Sequence, residues 1–329
     1  MRILIAILFL SLIPFKSFSW SDMGHRYTAM VAYELVDQQT RDSVLKILSF
    51  HPDIQAHFFD EKPNFIDENQ IYDSNWMFSQ MAVWADVIKR KELNYSPQHR
   101  RWHYINYPVC LTDIDERYYK DNVPVNVDLV PTEEVSDEWN IAQAFAYNLA
   151  ILDSAEAGNR ALALCWIFHL LGDIHQPLHS SALFNERRFP KGDMGGNAIT
   201  VKGIGVLHVA WDRSTYMESN KGWEFDQHAA FVQELVKAHK KVGELAQKDE
   251  EFEDWLNESH ELAMMVGYPK ELLEAIRESK IEKYGFGNPL SVKLDKAFTK
   301  QWKAKIYETS LQQITKAGYR LAFLLEEHF

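Results

Sequence analysis

Residues 160–180 read RALALCWIFHLLGDIHQPLHS, and positions 160–174 set apolar side chains at three- and four-residue spacing, the period of one helix face. Pro177 should end that helix, because its ring removes a backbone donor and clashes with the preceding turn. The polar residues inside the apolar run are the informative ones. His169 and Asp173 stand four apart, so both project from one helix face and can bind a single ion. An imidazole and a carboxylate buried without partners are costly, which makes an ion-free interior helix the weaker reading. His179 lies beyond Pro177 and is released to aim elsewhere, whereas His175 reads as a supporting residue rather than a ligand.

The same period recurs at 27–49, 135–157, 224–246 and 309–327, while strand-like alternation is scarce. The expected fold class is therefore all-α: a single multi-helical domain with long loops and at most a small β-hairpin, for which 197–202 is the candidate arm. No Gly/Ser/Pro linker divides the chain, so 20–329 is expected to be one domain. Segments 110–131, 183–196 and 281–296 are rich in Asp, Asn, Pro or Gly and are expected to be loops of the length that often lines a site. The acidic run 248–254 reads as a solvated helix end.

Residues 1–19 open with Met1 and Arg2, continue through an apolar stretch, and close with Ser17 and Ser19 at the minus-three and minus-one positions. That is the pattern of a cleaved signal peptide, too short to span a bilayer. The mature chain is expected to begin at Trp20 and to be periplasmic or secreted. Lys and Arg total 35 against 47 Asp and Glu, a net charge of −12, and losing Arg2 and Lys16 makes the remainder more acidic. Such a surface repels phosphate polymers. No basic stripe is visible in the sequence, so attraction for one is expected to come from local cations such as metal ions. Cys110 and Cys165 allow at most one disulfide.

Four further strings carry candidate chemistry. LHVAWD places His208 and Asp212 at four-residue spacing; alone this is equally a helix-surface hydrogen bond, but beside the first string it becomes a second half-site. Asp86 in WADVIKR and His103 in RWHYINYP are flanked by aromatic residues. Singly they read as a helix carboxylate and a core imidazole; together they can complete a four-ligand shell with His169 and Asp173. In WSDMGH, a freed Trp20 can offer its α-amine and carbonyl oxygen, and His25 an imidazole. An α-amine has a pKa near 7.7 to 8.0, so a metal can displace its proton at ordinary pH.

These strings, in this order, resemble the zinc-dependent single-strand nucleases and 3′-nucleotidases of fungi and plants, with a more distant likeness to bacterial zinc phospholipase C. The resemblance runs from WSDMGH through WADVIK, WHYIN, HLLGDIHQPLH, GGN and LHVAWD to AGYRLAFLL. It implies an α-helical domain with three Zn2+ per chain at the bottom of a cleft. It places the first zinc on Asp86, His103, His169 and Asp173. It places a neighbouring zinc on Trp20 and His25, bridged by Asp173, and a third on His179, His208 and Asp212. The implied activity is endonucleolytic cleavage of single-stranded DNA and RNA to 5′-phosphate products by zinc-held hydroxide, together with hydrolysis of 3′-nucleotides. Asp86, Lys89 and Asp173 take the catalytic positions. Lys89 also matches a family cation at the phosphate and Asn197 a phosphate contact; without the match they are a solvated helix lysine and a turn asparagine. Tyr104 stands where the family sets a ring against a base, and Asn106 where the fungal pattern has a base-contacting Asp. A monomer with no stable protein partner is expected.

Two rival readings use the same ligands. A phospholipase C acting on phospholipid headgroups needs an exposed apolar rim. A non-catalytic exported zinc-binding protein needs neither Lys89 nor an open coordination position.

Overall fold

The computed structural model describes residues 22–63, 66, 71–95, 97–154, 156–215, 220–248 and 251–329. Its first two helices, α1 (Asp22–Leu35) and α2 (Gln38–Leu48), replace the single helix expected over 27–49. The break is chemical: Asp37 sits in extended backbone and its carboxylate accepts from the Thr40 amide, capping α2. Helices α3 (Ile71–Val87), α4 (Asp113–Asn122), α5 (Ile141–Ser154) and α6 (Ala157–Ile174) follow. Helix α4 lies inside the expected loop 110–131, started by Thr112, whose hydroxyl accepts from the Asp115 amide. Helix α5 begins at residue 141, six residues later than the periodicity suggested, because the Asn140 side chain accepts from the amides of Ala142 and Gln143. After α6 come α7 (Leu207–Asp212), α8 (Phe225–Ala246), α9 (Phe252–Leu262), α10 (Lys270–Glu278) and the 33-residue α11 (Lys296–His328). Asp295 caps α11 through the Ala297 and Phe298 amides, so this helix starts well before the predicted 309.

Strand content exceeds the hairpin expected. Strand β1 (Tyr107–Cys110) pairs in parallel with β2 (Ser181–Phe184), Tyr107 opposite Ser181. Strands β3 (Ile199–Val201) and β4 (Gly205–Val206) form the predicted hairpin, and β5 (Leu290–Val292) adds in parallel to β3. Cys110 on β1 and Cys165 in α6 are both free thiols. Among the described residues no helix is long and apolar enough to cross a membrane.

Two hydrophobic cores result. The larger joins α1, α3, α5, α6 and α8 through residues such as Met30, Phe78, Phe168 and Val232; the smaller gathers Val109, Leu183, Ile199, Trp211 and Tyr268 around the sheets. Helix α11 serves both, giving Trp302 and Ile306 to the smaller and Ile314, Leu321 and Leu325 to the larger.

Where α1 crosses α11, the backbones touch across Gly318. A Cβ there would sit 2.9 Å from the Thr28 carbonyl oxygen and closer still to Val31. Gly318→Ala should therefore destabilise the protein by about 1–3 kcal/mol through overpacking, less the roughly 1 kcal/mol that Ala gains in helix propensity. A lowered urea midpoint at unchanged slope is the expected result; an unchanged midpoint would mean the crossing has slack.

Candidate metal centre

Each element brings one part of the site. Helix α1 supplies His25, α3 supplies Asp86, α6 supplies His169 and Asp173, and the segment before β1 supplies His103. Asp173 is fully buried. Its Oδ2 lies 2.9 Å from His103 Nδ1 and 3.0 Å from His169 Nε2, while its Oδ1 lies 3.3 Å from His25 Nε2. Asp86 Oδ1 faces the same imidazoles, 3.7 Å from His169 Nε2 and 4.0 Å from His103 Nδ1. Four donors around one tetrahedral zinc, with bonds near 2.0–2.1 Å, stand about 3.3 Å apart. The observed separations scatter around that value, and the donor set of two imidazoles and two carboxylates suits the same ion. One carboxylate thus faces two ligand groups, one per oxygen.

A second cluster combines His179, from the 3-10 turn Pro177–His179, with His208 and Asp212 of α7. His208 Nε2 lies 3.6 Å from Asp212 Oδ2. Gln176 donates to the other oxygen, Asp212 Oδ1, at 2.8 Å.

The imidazoles are oriented by backbone. His169 Nδ1 donates to the Ala82 carbonyl, His179 Nδ1 to the His103 carbonyl and His208 Nδ1 to the Gly195 carbonyl, each at 2.7 Å. A donating Nδ1 fixes the tautomer and leaves the Nε2 lone pair for an ion. The parallel strands extend this registration, since Ile105 donates to the His179 carbonyl at 2.8 Å and Tyr107 to the Ser180 carbonyl at 3.0 Å. His103 and His179 are thereby fixed in one frame.

In the cluster around Asp173 the electrostatics agree with a cation-binding role. Burial alone would raise the Asp86 and Asp173 carboxyls, but Lys89 and three imidazoles for Asp86, and His169, His179 and His103 for Asp173, hold both below the usual carboxylate range. Burial, with Lys89 nearby, pushes His103 down to about 3, so its ring is neutral and able to ligate. Burial opposes charge on His169 too, yet Asp173 and Asp86 outweigh it and raise that imidazole. Asp212 is pushed well up by burial, which the Gln176 hydrogen bond only partly offsets.

The clusters open into a cleft of about 960 Å³ whose lining includes His103, His179 and His208. Lys89, paired with Asp86, also lines it, as do Tyr104, Asn106 and Asn197. Tyr104 is exposed to the cleft rather than buried in the core. Asn197 donates to the Met194 carbonyl at 2.9 Å, closing the glycine-rich turn. The sequence showed no basic stripe, yet the fold builds a basic surface. Among the described residues the cleft is lined by Lys89, Arg100, Arg101, Lys191 and Lys283 against one carboxylate, Glu138. These residues are scattered from 89 to 283, so no local charge run announced them.

With eight of the nine predicted ligands converging in this way, comparison with known proteins is decisive. Residues 20–329 match the S1/P1 nuclease family. The chain belongs to that family. It is similar to Nuclease S1 of Aspergillus oryzae, 23% identical over 245 residues that cover 73% of this chain and 69% of the fungal protein. It is also similar to Endonuclease 4 of Arabidopsis thaliana, 25% identical over 202 residues, 59% of this chain and 54% of the plant protein. Endonuclease 5 of the same plant is 25% identical over 219 residues, 64% of this chain and 60% of its own length. The matched region thus spans little more than half of the plant proteins. S1/P1 membership places the chain among hydrolases of phosphodiester bonds.

Trp20, the ninth predicted ligand of this S1/P1 chain, lies outside the described residues. His175 is corrected: its Nδ1 donates to Leu171, and Arg320 donates to its Nε2 at 2.7 Å, so it joins a buried network with Glu258 rather than supporting a ligand. Three supporting residues were not foreseen. Gln176, inside HQPLH, orients Asp212. Buried Asp193, raised to about 6 by burial, accepts from Leu183 N at 2.8 Å and from the Tyr268 hydroxyl, fixing the loop whose Gly195 carbonyl orients His208. Gly172 lets α1 and α6 meet: its Cβ would stand 2.9 Å from His25 Cε1 and closer to Nδ1, and the His25 ring stacks on His169 at 4.0 Å. Gly172→Ala should displace His25 and lower metal content per chain by mass spectrometry, with helicity by circular dichroism retained. Full metal content in the variant would show that His25 needs no such approach.

Proposed function

We propose that residues 20–329 form a single-domain, monomeric, zinc-dependent endonuclease for single-stranded DNA and RNA that also hydrolyses 3′-nucleotides. Residues 1–19 are its signal peptide, so the mature protein is periplasmic or secreted. The observation that carries this reading is the convergence of eight buried His and Asp ligands beside a cleft lined by five cations and Tyr104.

Asp86, His103, His169 and Asp173 would hold one zinc. Trp20 and His25 would hold a second, sharing Asp173, and His179, His208 and Asp212 a third. Bound zinc lowers the pKa of water towards about 7 and neutralises charge that builds on a phosphate. The chain's own residues do the rest. Lys89 is held by Asp86 at the cleft surface, where its ammonium can meet a phosphate oxygen. Asn197 offers a second polar contact from the glycine-rich turn. Tyr104 presents a ring on which an unpaired base can stack, at about 1–3 kcal/mol per base and without choosing a sequence. Duplex stacking hides those base faces, which favours single strands. The cationic lining favours a polyanionic strand over a single lipid headgroup.

The test is parallel assay of natively processed protein on single-stranded DNA, RNA, 3′-AMP and phosphatidylcholine, with zinc counted per chain. Cleavage of both nucleic acids to 5′-phosphates, with three zincs, is expected; turnover of lipid alone would overturn the reading. Zinc binding without any phosphoester hydrolysis would favour the non-catalytic alternative. Asp173→Asn should lower kcat/KM at least a hundredfold, since even partners behind metal ligands cost 10- to 100-fold.

A residue added ahead of Trp20 should block the amine, removing zinc and most activity while helicity stays unchanged. Equal zinc and turnover with and without that residue would remove Trp20 from the site.

A further inference from the structure

The cleft reaches well beyond the ligand clusters, and part of its lining comes from a turn remote from them in sequence. Residues 281–288 connect α10 to β5 and carry Lys283 and Phe286, both of which line the cleft beside Lys191. All three side chains are exposed, Phe286 by 46%. What sets Phe286 apart from the other exposed apolar side chains is its place in the cleft lining, shared with the Lys191 and Lys283 ammonium groups.

The turn is also built to hold its place. Gly285 and Asn288 form an antiparallel bridge across it. Tyr284 donates its amide to the Arg188 carbonyl at 2.9 Å, and its ring packs 6.0 Å from that of Phe189. Arg188 is itself buried, donating through Nε to the Ser279 hydroxyl at 3.0 Å and through Nη2 to the carbonyls of Arg277 and Ser279 at 2.8 and 2.6 Å. Lys191 leaves the same loop three residues after Arg188. Arg188 therefore ties both cleft-lining segments together, its guanidinium holding the end of α10 and its carbonyl the turn at Tyr284, and such preorganisation reduces the entropy lost when a ligand is held.

We infer that Lys191, Lys283 and Phe286 form a strand-gripping subsite away from the scissile phosphate, with Phe286 stacked on a base and the two lysines against neighbouring phosphates. The inference rests on the nuclease reading and sharpens it. It makes the enzyme favour polynucleotides over dinucleotides and 3′-nucleotides, because only a longer strand reaches the subsite while engaging the metal centre. Aromatic stacking combined with cations along the backbone is the general means of holding single strands without reading sequence.

The experiment compares natively processed wild type with Phe286→Ala, Phe286→Tyr and the double variant Lys191→Ala/Lys283→Ala. Each is assayed on a dinucleotide and on an oligonucleotide of about 20 nucleotides, longer than a single-fold footprint. Binding of a cleavage-resistant phosphorothioate strand is followed by fluorescence anisotropy across a salt series. Phe286→Ala should weaken oligonucleotide binding about tenfold, with dinucleotide kcat/KM unchanged, and Phe286→Tyr should restore it. The lysine pair should reduce the slope of log affinity against log salt by about 1.4, two single-strand phosphate contacts at about 0.7 each. Wild-type affinity and salt slope in these variants, alongside an active wild type, would overturn the subsite and leave the nuclease reading standing. Equal losses on both substrates would overturn it too, by locating the defect in the metal centre. A wild type that cleaves no nucleic acid would instead overturn the nuclease reading, and the subsite with it.

Discussion

The site depends on one carboxylate kept out of water. Asp173 is fully buried, and an isolated charge there would neutralise itself by taking up a proton. It stays ionised because imidazoles from three parts of the chain surround it. That requirement reaches back into the fold. Helices α1 and α6 must approach within ring-stacking distance, and the segments bearing His103 and His179 must run side by side. The close packing of this end of the molecule follows from satisfying one anion.

Backbone carbonyls then do what side chains alone could not. A histidine has two nitrogens and rotates readily, so clustering imidazoles does not by itself point lone pairs at a common centre. Here Ala82, His103 and Gly195 each offer a carbonyl that accepts from one nitrogen and commits the other. Because these acceptors belong to main chain, their identities are invisible as residue types. The short parallel strand pair has the same purpose: besides giving Val109 and Leu183 to the smaller core, it fixes two ligand-bearing segments against each other.

This explains what the sequence disclosed and what it withheld. His169 with Asp173, and His208 with Asp212, were legible because four-residue spacing on a helix is itself a geometry. The predominantly helical fold was legible for the same reason. Helix starts were less so: Asp37 divides one periodic stretch and Asp295 begins another early, since a single cap outweighs periodicity where a chain must turn. The basic cleft was not legible, because Lys89, Arg100, Lys191 and Lys283 become neighbours only through folding, and net charge averages them away. Gly172 and Asp193 were missed because they act on other residues' positions. His175 looked like part of a metal motif, yet one residue beyond the end of α6 it turns towards Arg320.

The long C-terminal helix gives the architecture a temporal order. At 33 residues it extends about 50 Å, and it completes both hydrophobic cores while lying against α1 at Gly318. The first and last helices of the described residues are therefore mutual packing partners. Contacts so far apart in sequence slow folding, and neither core can close around its α11 side chains until that helix has been made and docks. Both cores are thus completed by one helix far along the chain, and the α1–α11 crossing at Gly318 can form only when that helix docks.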